Sequence, residues 1–159
     1  MILVTVGTQL PFDRLIRHID DIAPKLGQPV MAQTGSGGYR PVNCEFRESF
    51  APVEFDTVFR QARVIVSHAG IGTVLTAQRL GKPIIVFPRR AAFGEHRNDH
   101  QLASCAQLAG RPGVSVAAEL DDITLLLQRN DLPAASDAEL TTKREEFCQS
   151  LATAIAGLQ

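Results

Sequence analysis

Between an apolar run and a helical pattern the chain reads Ser67-His68-Ala69-Gly70-Ile71-Gly72-Thr73. Residues of these types at this spacing can hold a phosphate. Gly70 and Gly72 permit tight turns and close approach of the backbone to a ligand. Backbone N–H groups at the start of the following helix, aided by its dipole, attract an anion. The His68 imidazole and the Thr73 hydroxyl add side-chain donors. The same residues also suit a plain glycine turn with a capping threonine and a satisfied histidine, and spacing alone does not separate the two readings. The segment lacks the Gly-Lys-Ser/Thr ending of a P-loop, and no Gly-x-Gly-x-x-Gly follows the first strand.

A second cluster runs from Arg89-Arg90 through Gly94-Glu95-His96-Arg97-Asn98-Asp99-His100-Gln101. Arg89, Arg90 and Arg97 could neutralise a diphosphate or a sugar carboxylate. Asn98, Asp99, His100 and Gln101 could hydrogen-bond sugar hydroxyls. A solvated loop can have this composition too, but binding residues are commonly placed on a loop that leaves a strong central strand. Its histidines and acids have no regular metal-ligand spacing, so no metal is expected. Gly7-Thr8-Gln9 forms a third polar loop, after the first strand.

These loops need elements to position them. Ile2 to Val6 is a continuous apolar run, the profile of a strand buried on both faces. From Phe12 the period becomes helical, through Leu15, Ile16, Ile19, Ile22, Ala23 and Leu26, with Pro11 suited to the first helical position. A short strand is expected over 29–33 and a weaker one over 42–46, with the loop Thr34-Gly35-Ser36-Gly37-Gly38 between them. Phe55 to Ala62 reads as a short helix, 63–67 as a second strong strand, and the glycine turn as the entry to a helix through Leu80. Ile84 to Phe87 is a third strong strand. A helix over 98–108, a strand over 114–117, a helix over 120–127 and a C-terminal helix at about 137–158 complete the chain. Strands alternating with helices predict an α/β fold: a Rossmann-like parallel sheet with helices on both faces. In such sheets ligands bind beyond the carboxyl ends of the strands, where all three loops should open together.

With 159 residues and no internal repeat the chain reads as one domain. A net charge of −1 gives no footprint for nucleic acid or an anionic membrane. Cys44, Cys105 and Cys148 are widely spaced and odd in number, which argues against a disulfide framework or a zinc site. No basic leader precedes Ile2, and no apolar run reaches the roughly 20 residues that span a bilayer. The expectation is a cytoplasmic protein whose membrane association is peripheral.

Taken together, the segment Ser67 to Thr73, the run Leu80-Gly81-Lys82-Pro83-Ile84-Ile85-Val86-Phe87-Pro88 and the run Asn98-Asp99-His100-Gln101-Leu102-Ala103 resemble the C-terminal domain of family 28 glycosyltransferases. Gly7-Thr8-Gln9 with Phe12-Asp13-Arg14-Leu15 resembles the opening of small catalytic subunits of this group, and the stretch from Pro88 to Gln101 is most similar to PssE-type subunits of exopolysaccharide and capsule transferases. The resemblance covers about 1–109. It implies the donor domain of a GT-B transferase. His68, Gly70, Gly72 and Thr73 would grip the diphosphate of a UDP-sugar, and Gly7 and Thr8 would line the cleft floor. His100 and Gln101 would face the sugar, with Glu95 and His96 as neighbours and candidates for the general base. Related enzymes often place a ribose-binding Glu where this chain has Thr76, which can make only one such contact.

The resemblance further implies a two-component inverting transferase with no cofactor beyond its UDP-sugar substrate. A membrane-associated acceptor-binding subunit at the inner face of the plasma membrane would present a lipid-linked glycan. Without that partner the exposed docking surface could support self-association. Arg89 and Arg90 suit a glucuronate carboxylate, which favours UDP-glucuronate slightly. Two other classes stay open: a UDP-sugar epimerase or hydrolase, and a non-catalytic nucleotide-sugar-binding subunit.

Overall fold

The computed structural model describes residues 1–136; the C-terminal helix expected at 137–158 lies outside them. Six strands form one all-parallel sheet: β1 (Ile2–Thr5), β2 (Val30–Gln33), β3 (Glu45–Arg47), β4 (Val64–His68), β5 (Ile84–Phe87) and β6 (Val114–Val116). Their order is β3-β2-β1-β4-β5-β6. The helices are α1 (Asp13–Ile22), α2 (Pro52–Gln61), α3 (Ile71–Arg79), α4 (His100–Leu108) and α5 (Leu120–Gln128).

The apolar runs are continuous because both sheet faces are covered. Side chains alternate across a strand, so Ile2 and Val4 of β1 point one way, joined by Val66 and Phe87. They meet Leu15, Ile16 and Ile19 of α1 and Ile123 and Leu127 of α5. Leu3, Ile65 and Val86 point the other way, onto Phe59 of α2, Val74 and Ala77 of α3, and Cys105 and Leu108 of α4. The strand order reverses at β1 and β4, paired in register from Ile2↔Val64 to Thr5↔Ser67. Beyond their carboxyl ends the chain departs to α1 on one face and to α3 on the other. That divergence opens a crevice.

Several boundaries differ from the sequence expectations. α1 starts at Asp13 rather than at Pro11, and Pro24 closes it through a 3-10 turn over Ala23–Lys25. α2 begins at Pro52, which occupies its first turn. α4 begins at His100, two residues late. The weak strand starts at Glu45 rather than 42, because the preceding backbone is claimed by a buried carboxylate. Asp20 of α1, fully buried, accepts N–H bonds from Val42 (3.0 Å) and Asn43 (2.7 Å) and the Tyr39 hydroxyl (2.9 Å).

Burial alone would raise the Asp20 pKa. The Val42 and Asn43 N–H groups, with Tyr39 and Cys44, outweigh it and hold the carboxyl below its ordinary 3.8. A folded-state pKa depressed in this way adds stability that is present above 3.8 and lost as pH falls through the folded value. Asp20→Asn should therefore cost about 2 kcal/mol at pH 7, lowering the thermal midpoint by roughly 4–8 °C. The gap from the parent protein should narrow below pH 3.8. Thermal melts from pH 7 to 3 that show a constant gap would remove this role for Asp20.

Candidate functional site

A cavity of about 280 Å³ lies in the crevice where the strand order reverses. Three loops line it. The β1–α1 loop gives Val6, Gly7, Thr8, Gln9 and Leu10; the end of β4 and the turn into α3 give His68, Gly70, Gly72 and Thr73; the β5–α4 loop and the start of α4 give Arg89, His96 and Gln101. No carboxylate is among these residues.

His68 ends β4, and its imidazole fills the space between two glycines. A Cβ on Gly70 would lie 2.3 Å from His68 Nε2, and one on Gly7, whose φ is +78°, would lie 2.9 Å from His68 Cε1. A side chain at either position would displace the His68 ring. Gly72 has open space where a Cβ would go, so sterics do not demand it. Burial pushes the imidazole pKa down, and the neighbouring charges of Arg89 and His96 act the same way against a backbone hydrogen bond at Thr5. The result is about 4. His68 is neutral at physiological pH and able to donate from one nitrogen only.

Gly70, extended at φ −93° and ψ 128°, precedes α3 without any side-chain cap. The first-turn N–H groups of α3 consequently have no intrahelical partner and stand at the positive end of the helix dipole. Thr73 adds its hydroxyl to the same wall.

The opposite wall is tied from beneath. Gln33 Nε2 donates to the Gly7 carbonyl (3.0 Å), and Gly7 N–H donates to Thr5 Oγ (3.4 Å). Thr5 Oγ in turn donates to Gln33 Oε1. Arg89, 3% exposed, donates to the carbonyls of Val6 (2.9 Å), Leu10 (2.7 Å), Pro11 (2.6 Å) and Glu95 (3.3 Å), and its guanidinium sits 4.6 Å over the Phe12 ring. Gln101 Oε1 accepts the Arg89 backbone N–H (3.0 Å), which leaves the Gln101 amide NH₂ as a donor toward the cavity.

Nine residues expected at a site are thus brought together: Gly7, Thr8, His68, Gly70, Gly72, Thr73, Arg89, His96 and Gln101. The others are placed elsewhere. Arg90 turns to the β6–α5 junction, donating to the Ala118 carbonyl (3.0 Å) and Glu119 (2.8 Å). Four of the five Arg89 donors are spent on backbone, so neither arginine offers the carboxylate fork expected of it. Both oxygens of Glu95 are taken, by Arg14 Nε (2.7 Å) and Nη2 (2.8 Å) and by Arg90 N–H (2.9 Å), which removes it as a free base.

Asp99 accepts from Ala91 N–H (2.8 Å) and steadies the 3-10 turn Ala91–Phe93. Asn98 stands 3.2 Å from His96 Nδ1 through both its side-chain and main-chain oxygens. His100 is exposed at the start of α4, outside the cavity lining. The Thr76 hydroxyl bonds back to the Gly72 carbonyl (3.0 Å), so it is occupied within its own helix. Sequence reasoning missed Arg14, Thr5 and Gln33. The one signal for the last two is a polar residue closing an apolar strand at its carboxyl end.

The sequence matches the family described as the glycosyltransferase family 28 C-terminal domain over residues 1–152. The chain belongs to this family. Its fold is that of the C-terminal domain of GT-B glycosyltransferases. The domain is similar to Streptomyces sp. SF2575 glycosyltransferase SsfS6, solved with thymidine diphosphate, at 20% identity and a TM-score of 0.57; 82% of this chain covers 33% of that one. It is similar to Acinetobacter baumannii MurG at 19% identity and a TM-score of 0.58, with 82% of this chain covering 42% of that one. It is also similar to ALG13, at 16% identity and a TM-score of 0.58, with 86% of this chain covering 88% of that one. No curated protein matches the chain. The family 28 domain spans only a third to under half of the first transferases it resembles. Among the described residues no helix is long and apolar enough to cross a membrane, and no group of three or more His, Cys, Asp or Glu is placed to hold a metal ion.

Gly70→Ala should push the His68 ring out of place, shift its NMR resonances and raise its titration midpoint from about 4 toward 6.5. Gly72→Ala, with open space at its Cβ, should leave both unchanged. Equal responses in the two variants would contradict the packing described.

Proposed function

We propose that this family 28 domain binds the diphosphate of a UDP-sugar in the switch-point cavity and acts as the donor-binding subunit of a two-component inverting glycosyltransferase. The observation that carries this reading is the cavity itself: among the described residues it has no carboxylate, and the first-turn N–H groups of α3, His68, Thr73 and the Gln101 amide converge on it. Such donors suit a multiply charged anion. A similar fold solved with a nucleoside diphosphate is consistent with this. The cavity, at about 280 Å³, lies below the roughly 300–1,000 Å³ usual for small-molecule sites. The chain brings the donor side, and the acceptor comes on a second chain, a membrane-associated subunit presenting a lipid-linked glycan.

In the reaction, an acceptor hydroxyl attacks the anomeric carbon while the bond from that carbon to the UDP oxygen breaks. Charge developing on the departing diphosphate is met by the α3 N–H groups and by His68, donors already in place. The hydroxyl proton passes to a base. Within this chain His96 is the candidate, since Asn98 holds its Nδ1 side and Nε2 has no hydrogen-bond partner among the described residues. Glucuronate has no special claim as donor, because Arg89 and Arg90 are committed to other partners.

Calorimetric titration with UDP and with UDP-glucuronate, UDP-glucose, UDP-galactose and UDP-GlcNAc tests the reading. UDP species should bind, His68→Ala should weaken them at least tenfold, and His96→Ala should bind UDP nearly as the parent does while losing transfer with the partner present. Failure of every UDP species to bind, with the partner as well as without it, would refute the donor role.

A further inference from the structure

We propose that Arg89 is a positioning residue, an internal bracket that joins the two loops facing His68 and holds the cavity in its binding shape before any ligand arrives. The four carbonyls it holds are not scattered. Val6, Leu10 and Pro11 belong to the β1–α1 loop, and Glu95 belongs to the turn that carries His96. Its own N–H is held by Gln101, a residue of the third lining segment. One planar guanidinium therefore fixes the two loops opposite the α3 wall relative to each other.

The chemistry explains why an arginine stands here. A buried cation is strongly disfavoured unless polar groups replace its water. No carboxylate among the described residues is within ion-pair distance of Arg89; the nearest candidate, Glu95, spends its oxygens on Arg14 and the Arg90 N–H. Carbonyl dipoles and the Phe12 face do the solvating instead. Lysine carries the same charge at a single point and cannot span four acceptors lying in a fork. The bracket also keeps a fixed positive charge beside His68, which adds to burial in holding that ring neutral.

Glu95 completes the device from outside. Its carboxylate takes both donors of the Arg14 fork, and the Arg14 guanidinium lies 4.4 Å over the Phe87 ring and 4.8 Å over Phe93. The turn that Arg89 grips by its carbonyl is thereby anchored to the sheet as well.

The test uses the full chain, nitrogen-15 labelled, as parent, Arg89→Lys and Arg89→Met. In the unliganded parent the Arg89 Nη protons should give separate, slowly exchanging resonances, and the amides of Gly7 to Leu10 and of Glu95 and His96 should be as rigid as those of α5. Arg89→Lys should loosen those two segments while α5 stays unchanged, and should weaken UDP binding at least tenfold. Arg89→Met should in addition raise the His68 titration midpoint from about 4. Loops equally ordered in Arg89→Lys, or loosening spread evenly through the chain, would overturn the proposal. Should neither variant fold, a single averaged Nη signal in the parent would overturn it, and resolved signals over rigid loops would support it. The ligand arm rests on the donor reading. If the parent binds no UDP that reading fails, while the dynamics of the unliganded chain still decide the role of Arg89.

Discussion

Parallel strands need a crossover between them, and where two adjacent strands send their crossovers to opposite faces of a sheet, a crevice opens beyond their carboxyl ends. Here β1 and β4 are that pair, with α1 leaving to one face and α3 to the other. Pairing from Ile2↔Val64 to Thr5↔Ser67 brings Gly7 and His68 side by side at the mouth of the crevice. The close contact of the His68 ring with Gly7 and Gly70, the bare N-terminus of α3 and the cavity between the loops all follow from this placement.

Electrostatics then narrows what the crevice can accept. Among the described residues its lining holds the buried Arg89 guanidinium, the neutral imidazole of His68, a second histidine in His96, and no acid. A cation kept in place by carbonyl dipoles, with the Glu95 charge acting on it only through space, contributes positive potential to the cavity. An anion entering there meets preset donors and need not displace a bound carboxylate. Burial above all, with the positive charge of Arg89 beside it, keeps His68 neutral.

The sheet was legible because its strands are short, apolar and bounded by glycine and proline: Ile84–Phe87 appears in the structure as read, and Ile2–Thr5 and Val64–His68 within one residue. The glycine turn was legible as a cavity wall for the same reason. Side-chain direction in the β5–α4 loop was not. Arg89 and Arg90 are adjacent and chemically identical, but Arg90 is extended at φ −121° and ψ 132°, and neighbours on extended backbone point to opposite sides. One enters the crevice and the other reaches Glu119. Glu95 read as a free base because its partner, Arg14, is 81 positions away. Thr76 read as a ribose contact because a sequence does not show that a helical threonine bonds back to its own turn.

The most direct test of the account is a chemical-shift map of the labelled chain titrated with UDP and, separately, with uridine. The account predicts that UDP shifts the amides of Gly70, Ile71, Gly72 and Thr73 and the ring signals of His68, moving the His68 titration upward, whereas uridine leaves them in place. Shifts confined to some other surface, or equal responses to uridine and UDP, would contradict the claim that this crevice holds a diphosphate.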